Sequence, residues 1–361
     1  MRVRLGFVVA AIAASVASAE AQRPPAPPAP PAPPAPPARP APPAPPARPA
    51  PPPAYQGPTG ADQTERFSRR VRIGRDGRFT INNIAGDIIV TSGSGDDVSI
   101  EAVKRTRGDQ RELADVTIEV DAGNGRVDVR TVYPSFNGRI TGGRRFSNDR
   151  VRVDYTIAVP GSTEVDAKSV SGNVKVTGVQ GSVRAETISG TVTTSGTPRL
   201  ELAKSVSGDV DISDIATDRG LTVGSISGTL RGRNVKARSL DLNTVSGDMT
   251  ITDAACERID GRSISGNIEY SGSLARNGRY DLNSHSGNIR LTLPGSPGFS
   301  LTANTFSGTI RSDLPLTIGG DANRTGRQRG FNGRSVQAAF GDGTAGLTIR
   351  TFSGDIIIAR R

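Results

Sequence analysis

The sequence has almost none of the side chains that make disulfides, metal sites and aromatic cores. Its 361 residues include one cysteine, Cys256, one histidine, His285, and no tryptophan, and aromatic residues make up only 4%. A single cysteine excludes an intramolecular disulfide, and a single histidine excludes a pair of imidazole ligands for a metal ion. With so few aromatics, the core should be a thin column of Val, Ile and Leu.

Recognisable catalytic motifs are also missing. The chain contains no G-x-S-x-G nucleophile elbow, no P-loop and no calcium-binding G-G-x-G-x-D repeat. His285 stands where related positions carry Val, Ile or Phe, which indicates a structural side chain more than a catalytic base. We therefore expect a protein that is not an enzyme, with no catalytic residues, no cofactor and no metal site.

Positive charge exceeds negative charge, with 45 Lys and Arg against 35 Asp and Glu, a formal net charge of +10. Aromatic residues do not alternate with the arginines as they do on single-stranded nucleic-acid platforms, so no nucleic-acid partner is expected. Solubility and protection of strand edges are the favoured explanation of this excess, and weak attraction to anionic envelope polymers or peripheral contact with lipid headgroups is the alternative. A Gly-rich insert carries the candidate polyanion or glycan contacts Arg324, Arg327, Arg329 and Arg334.

The N-terminus has the pattern of an export signal followed by a spacer. Arg2 and Arg4 precede an apolar run, and small residues end it, so residues 1–21 are predicted to be a signal peptide. The protein is then exported to the periplasm, the cell surface or the medium. Residues 22–65 are rich in Pro and Ala, a composition typical of a disordered polyproline II linker.

One phrase recurs nine times beyond residue 168: Ser or Thr, an apolar residue, Ser, Gly, then Asn, Thr or Asp, then an apolar residue. Through the eighth copy its glycines lie 18 to 21 residues apart, a period typical of a solenoid with one coil per repeat. We call it the Ser-Gly phrase. Its glycines, taken as structural, are Gly172, Gly190, Gly208, Gly228, Gly247, Gly266, Gly287, Gly308 and Gly354.

Each coil is predicted to contain two short strands joined by turns and stacked in parallel on its neighbours about 4.8 Å away. Leu240 and Leu242 alternate as strand residues, and Val245 breaks the alternation, so we place a bulge or corner at the Ser or Thr. The apolar residue of the phrase is then expected to be in phase with the interior. The glycine should occupy a crowded inward position or a bend with positive φ, and the Ser before it should form a hydrogen-bonded ladder.

The position after the glycine is occupied by Asn, Thr or Asp. Within the regular run each Asp, such as Asp209 or Asp248, has Thr or Asn in the neighbouring coils, so carboxylates do not cluster. This spacing favours a structural ladder over a calcium or catalytic site.

Two irregular regions interrupt the period. Residues 66–167 are predicted to be irregular opening coils that cap the regular solenoid of 168–361, and residues 315–343 form the Gly- and Arg-rich insert. Glu201 and Ala203 occupy apolar positions, which indicates a local one-residue bulge. The last coil ends near Arg361 without a polar cap, so its strand is expected to be an open edge that could self-associate.

The segment Val151–Pro160, followed by the Ser-Gly phrases, resembles the bacterial "putative adhesin" β-strand-repeat family. It is similar in kind to the head domain of putative auto-transporter adhesins. The resemblance covers roughly residues 66–361 and implies a right-handed, single-stranded parallel β-helix. It carries over no catalytic residues.

Three functional hypotheses remain open on the sequence. The first is a non-enzymatic, exported, adhesin-like or structural envelope protein that binds glycans, peptidoglycan, a surface protein or other envelope polymers. The second is a polysaccharide-degrading β-helix enzyme, which would need clustered carboxylates on one face. The third is a self-assembling envelope scaffold.

Overall fold

The computed structural model describes residues 63–133, 151–295, 297–318 and 335–361, all within the unit Pro58–Arg361. These residues form an all-β, solenoid-like fold, as predicted, with one short helix, α1 (Arg111–Asp115). The signal peptide and nearly all of the linker lie outside the described residues. So do Arg324, Arg327, Arg329 and Arg334.

The opening strands are β1 (Gln63–Arg72), β2 (Arg78–Ala85), β3 (Ile88–Gly93), β4 (Asp97–Thr106), β5 (Thr117–Gly123), β6 (Arg126–Val132) and β7 (Val151–Pro160). The regular coils contain β8 (Glu164–Ser171), β9 (Val174–Thr177), β10 (Ser182–Ser189), β11 (Val192–Ser195), β12 (Arg199–Ser207), β13 (Val210–Ala216), β14 (Gly220–Ser227), β15 (Leu230–Ser246), β16 (Met249–Ser265) and β17 (Ile268–Ser286). The closing strands are β18 (Ile289–Leu293), β19 (Phe299–Ser307), β20 (Ile310–Ser312), β21 (Thr317–Ile318), β22 (Ser335–Phe340), β23 (Ala345–Ser353) and β24 (Ile356–Arg360).

Successive coils pair in parallel with equivalent residues side by side. Thr244 of β15 lies opposite Ser225 of β14 on one side and opposite Ser263 of β16 on the other. The Phe79–Val90 segment also forms a coil, because β2 pairs with β8 and β3 pairs with β9. Parallel pairing in register therefore places each position of the repeat in a continuous column.

The interior is a column of aliphatic side chains, as the composition predicts. Val165, Ala167, Leu240 and Leu242 are almost completely buried, and each coil repeats this alternation. The predicted bulge near Glu201 is confirmed: the register between β10 and β12 shifts after Val183, where Leu200 takes the buried position.

Antiparallel pairs close the N-terminal end. Strand β4 pairs antiparallel with both β1 and β7, and β5 pairs antiparallel with β6. Strands β6 and β7 stack in parallel on β2 and β3 and so add one more coil, whereas β1, β4 and β5 pair outside the coil path.

The expected open edge at the last coil is wrong. Strand β24 pairs on one side with β18 and on the other with β20, and β23 lies between β17 and β19. The C-terminal coil is thus inserted into the stack between two coils that precede it in sequence. Its backbone groups are paired on both sides, so this strand offers no free edge.

The insert region contributes strands to the fold. Strand β22 pairs antiparallel with the outer side of β19, and β21 pairs with β22. Residues 335–340 therefore cover an edge strand, although sequence reasoning placed them in a loop.

Each coil turns a corner at the glycine of the phrase. At the nine glycines φ lies between +145° and +157°, a region that side-chain-bearing residues rarely adopt. A Cβ added at Gly247 would lie 2.1 Å from the carbonyl oxygen of Gly228 in the adjacent coil. Both the bend and the close approach of neighbouring coils require glycine here.

The bend leaves two backbone groups that side chains then satisfy. The glycine carbonyl accepts a hydrogen bond from the first hydroxyl of the next phrase, as from Ser225 Oγ to Gly208 O at 2.9 Å. The amide after the glycine donates to the side chain of the equivalent residue, as from Asn267 N to Asp248 Oδ1 at 2.8 Å. The hydroxyl ladder therefore runs through the first Ser or Thr of the phrase, whereas the sequence analysis placed it at the second, which is exposed.

We expect the change Gly247→Ala to lower the free energy of unfolding by roughly 2 kcal/mol or more, because its Cβ meets backbone atoms that cannot move aside. Urea denaturation monitored by circular dichroism would measure the change. Gly123→Ala is the matched control, since a Cβ there has no neighbour within 4 Å. Equal midpoints for the two variants would contradict the role of the close approach.

The ladder also predicts a pH effect at Asp355. Hydrogen bonds from the Thr309 amide and hydroxyl, at 2.8 and 2.9 Å, hold the pKa of the Asp355 carboxyl below its ordinary value. A lowered folded-state pKa stabilises the fold above the unfolded pKa of about 3.9, and the effect is lost as pH falls through the folded value.

Asp355→Asn should therefore cost roughly 0.5 kcal/mol at pH 7, a small figure because the site is largely exposed to solvent. The difference from the parent chain should shrink as the pH falls below the unfolded pKa of about 3.9 and disappear below the folded pKa, where both side chains are neutral. Thermal unfolding across this pH range measures it, and a difference that persists at low pH would contradict the explanation.

Candidate functional site

The apolar residue of each Ser-Gly phrase points to solvent. In the coil of Ser169 the alternation of Val165 and Ala167 continues to Ser169, which is buried, so Val170 faces outward. The inward and outward alternation of side chains shifts only after Val170, at the glycine corner. The predicted position of this shift, at the first Ser or Thr of the phrase, is wrong. Parallel stacking aligns these side chains into one row, the apolar stripe: Ile84, Val170, Ile188, Val206, Ile226, Val245 and Ile264, continued by His285, Phe352 and Phe306.

These exposures are high for side chains of this kind. Ile188 is 51% exposed, Ile226 52% and Ile264 55%, whereas most other apolar residues of the coils are buried. An unbroken row of exposed aliphatic side chains is typical of a surface that binds something.

The stripe forms one wall of a groove of about 920 Å³ that follows the stack of coils. The groove floor is a column of buried polar residues whose side chains face the interior of the coils: Thr131, Asn83, Ser169, Thr187, Ser205, Ser225 and Thr244. The second wall is the column just before the floor residues: Arg130, Asn82, Lys168, Glu186, Lys204, Gly224, Asn243 and Arg262. The apolar wall within the groove runs from Ile84 to Val245.

The polar wall is predominantly cationic. It contains four basic residues and one acidic residue, Glu186. Lys168 Nζ lies 3.6 Å from both Asp166 and Glu186, and Arg262 lies 2.6 Å from Asp260. The basic side chains of these pairs are about half exposed, whereas the Asp260 side chain is only 11% exposed. The carboxylates offset part of the positive charge, so the excess at the wall is smaller than the count of basic residues.

Hydrogen bonding differs from one hydroxyl of the groove floor to another. Thr187, Ser205 and Ser225 each donate to a glycine carbonyl at 2.9 Å. The hydroxyls of Ser169 and Thr244 are buried, and no partner for either occurs among the described residues. Beyond Ser169 the floor continues with Asn83 and Thr131, whose side chains are hydrogen-bonded to each other at 3.0 Å, so the unpaired hydroxyls do not mark both ends of the floor.

The C-terminal end of the stripe is aromatic. His285 stacks on Phe352 with ring centroids 5.0 Å apart, and Phe352 stacks on Phe306 at 4.7 Å, with planes within 11° and 5° of parallel. His285 is thus an exposed member of the stripe.

A second column escaped the sequence analysis because it lies outside the Ser-Gly phrase. Asp241, Asp260 and Asp281 are direct neighbours on three successive coils, beside Arg258, Arg262 and Arg279. No group of three His, Cys, Asp or Glu side chains in the described ranges lies close enough together to hold a metal ion. Cys256 is buried, and burial raises the pKa of its thiol to about 11, which keeps it protonated at neutral pH.

Among the described residues, no helix has the length and hydropathy needed to cross a membrane. No curated protein matches the chain.

Several solved structures are similar to it at low sequence identity. A "putative cell adhesion protein" from Clostridium sporogenes is 11% identical and covers 83% of this chain and 100% of its own, with a TM-score of 0.22. A "putative adhesin" from Bacteroides fragilis is 14% identical and covers 81% and 97%, with a TM-score of 0.41. A "putative lipid binding protein" from Parabacteroides distasonis is 17% identical and covers 63% and 89%, with a TM-score of 0.35.

A family model matches the chain over residues 77–359, from the Phe79 coil to the last strand. The match includes every Ser-Gly phrase and the Val151–Pro160 segment on which the sequence-based resemblance rested. The chain belongs to the Toastrack DUF4097 family.

Proposed function

We propose that this protein is a non-enzymatic, exported, adhesin-like module of the cell envelope, and that it binds an elongated envelope component along the groove. Export is supported by the N-terminal sequence pattern. The finer architecture that we propose is a right-handed, single-stranded parallel β-helix, held at its attachment point by the Pro- and Ala-rich linker.

The apolar stripe is the observation that carries the proposal. Exposing an aliphatic side chain on every coil has a cost in water, since burying one Ile or Val is worth about 1.5–3 kcal/mol. A groove with hydroxyls on its floor, aliphatic groups on one wall and cations on the other can make apolar, hydrogen-bonding and ionic contacts with one ligand. Because the pattern repeats with every coil, a long ligand gains contacts in proportion to its length.

The enzyme alternative now has a specific location to test, the column of Asp241, Asp260 and Asp281. Adjacent carboxylates are what a polysaccharide-cleaving solenoid would need. Arg258, Arg262 and Arg279 flank the column at two residues' distance along their strands, and Arg262 pairs with Asp260 at 2.6 Å, which favours a structural charge grid. The self-assembly alternative would have to use another surface than the last strand, since both edges of β24 are paired.

We expect the full-length chain to co-sediment with isolated cell-envelope fragments, which carry lipid as well as wall polysaccharide, without releasing reducing ends. Val206→Asp should weaken binding about tenfold or more, because it places a charge in the middle of the apolar wall. Ile318→Asp is the matched control, as Ile318 is 49% exposed but lies outside the groove. Equal binding by the two variants would contradict the groove as the binding site.

The insert is tested by substitution and not by deletion, because removing residues 320–343 would also remove β22. Changing Arg324, Arg327, Arg329 and Arg334 together to Gln should weaken binding to anionic polymers only. If repurified protein releases reducing ends and Asp260→Asn abolishes the release, the enzyme alternative replaces our proposal.

A further inference from the structure

We propose that the occupant of the groove is the single extended acyl chain of an anionic lipid, with its head group at the cationic wall. This inference rests on the proposed function and specifies its ligand. It follows from four properties of the groove: the chemistry of its walls, its charge, its length and the hydrogen bonding of its floor.

Both walls offer aliphatic surface. One consists of the Val and Ile side chains of the stripe. On the other, Lys204 lies across Gly224, with Cγ and Cε at 3.7 and 3.8 Å from the position of a Gly224 Cβ. Lysine places its methylene stem along apolar surface while its ammonium group stays in water. The cross-section is thus aliphatic inside and cationic at the rim, which matches an amphiphile with a negative head group.

Charge argues against the other occupants. In a face-to-face contact between two copies, the cationic walls, with four basic residues and one acidic residue in each, would oppose each other. A basic peptide would be repelled for the same reason. An anionic polysaccharide would satisfy the cations but would leave the aliphatic wall in contact with polar groups.

The length is sufficient for one chain. Six coils from Ile84 to Val245 line the apolar wall, and a spacing of about 4.8 Å gives a length of roughly 24 Å. An acyl chain spans half of a hydrocarbon core of about 30 Å, or roughly 15 Å. One chain and its head group therefore fit along the groove.

The hydroxyls in the middle of the groove floor are paired within the chain. Thr187, Ser205 and Ser225 turn their hydroxyl hydrogens to glycine carbonyls. Ser169 and Thr244, each 5% exposed, keep hydroxyls without a partner in the described part of the chain. A hydrocarbon chain over Thr187, Ser205 and Ser225 leaves no hydrogen bond unmade, because these hydroxyls are already paired within the chain.

The test is calorimetric titration of the full-length chain with 1-palmitoyl-lysophosphatidylglycerol below its micelle concentration. Binding should show a negative heat-capacity change, the mark of apolar burial. The zwitterionic lysophosphatidylcholine of the same chain length should bind about tenfold more weakly or worse, because it lacks net negative charge. Polygalacturonate, an anion without an acyl chain, should not compete.

Two variants locate the site. Ile226→Asp should lower the affinity for the lysolipid at least about tenfold, while Ile318→Asp leaves it unchanged. Urea unfolding of both variants verifies that they are folded. Equal affinity for the two lysolipids, competition by polygalacturonate, or binding only to phosphatidylglycerol vesicles would each overturn the inference.

The inference and the proposed function can fail separately. If the lysolipid does not bind but wall polysaccharide does, and Val206→Asp abolishes that binding, the ligand class is wrong and the groove remains the site. If neither ligand binds, both are wrong.

Discussion

The fold depends on the corner at which one glycine approaches the next. The Gly247 Cα packs against the Gly228 carbonyl, so the neighbouring backbones are too close for any side chain. The bend also takes the glycine carbonyl and the following amide out of the hydrogen-bond ladder of the sheet. A buried, unpaired backbone group costs about as much as a lost hydrogen bond, so a side-chain partner stabilises each corner that has one. The Ser or Thr three residues before the glycine supplies a hydroxyl for the carbonyl. The Asn or Asp after the glycine supplies an oxygen for the amide. The recurring phrase is therefore the set of residues that one such corner requires.

The groove is a consequence of the same corner. Because the first hydroxyl of the phrase must face inward, the next side chain must face outward, whatever its chemistry. The corner would accept a polar residue at this position, since the side chain makes no contact that the turn requires. Yet the chain has Val, Ile, Phe or His there in all nine phrases. The corner explains why the position is exposed, and only a use for the exposed row explains why it is hydrophobic.

The repeat, the all-β class, the bulge near Glu201 and the role of the phrase glycines could all be reasoned from the sequence, because each follows from spacing or from a residue type. The outward direction of the apolar residue could not be predicted by assuming that every apolar side chain is buried. Buried side chains are mostly apolar, but many apolar side chains are exposed. Continuing the alternation of Val165 and Ala167 through Ser169 would have placed Val170 outside. The column of Asp241, Asp260 and Asp281 lies three residues before the phrase hydroxyls and becomes visible only when coils are aligned on the phrase.

The position of the last coil could not be predicted for a different reason: the phrases are interchangeable. The coil that stacks on the Asn288 corner could be the one with Thr309, which follows in sequence, or the one with Asp355. Either residue has a backbone amide that can donate to the Asn288 side-chain oxygen. In the structure Asp355 N donates to Asn288 Oδ1 at 2.8 Å, and Thr309 N donates to Asp355 Oδ1 at 2.8 Å. This order places the Phe352 ring between His285 and Phe306, with a stacked face on each side. It also gives the uncharged strand Ile356–Ile358 a partner on both edges, whereas at the end of the stack one edge would be open to other chains. Stacking and edge protection both favour the inserted position, and neither can be seen in the period of the sequence.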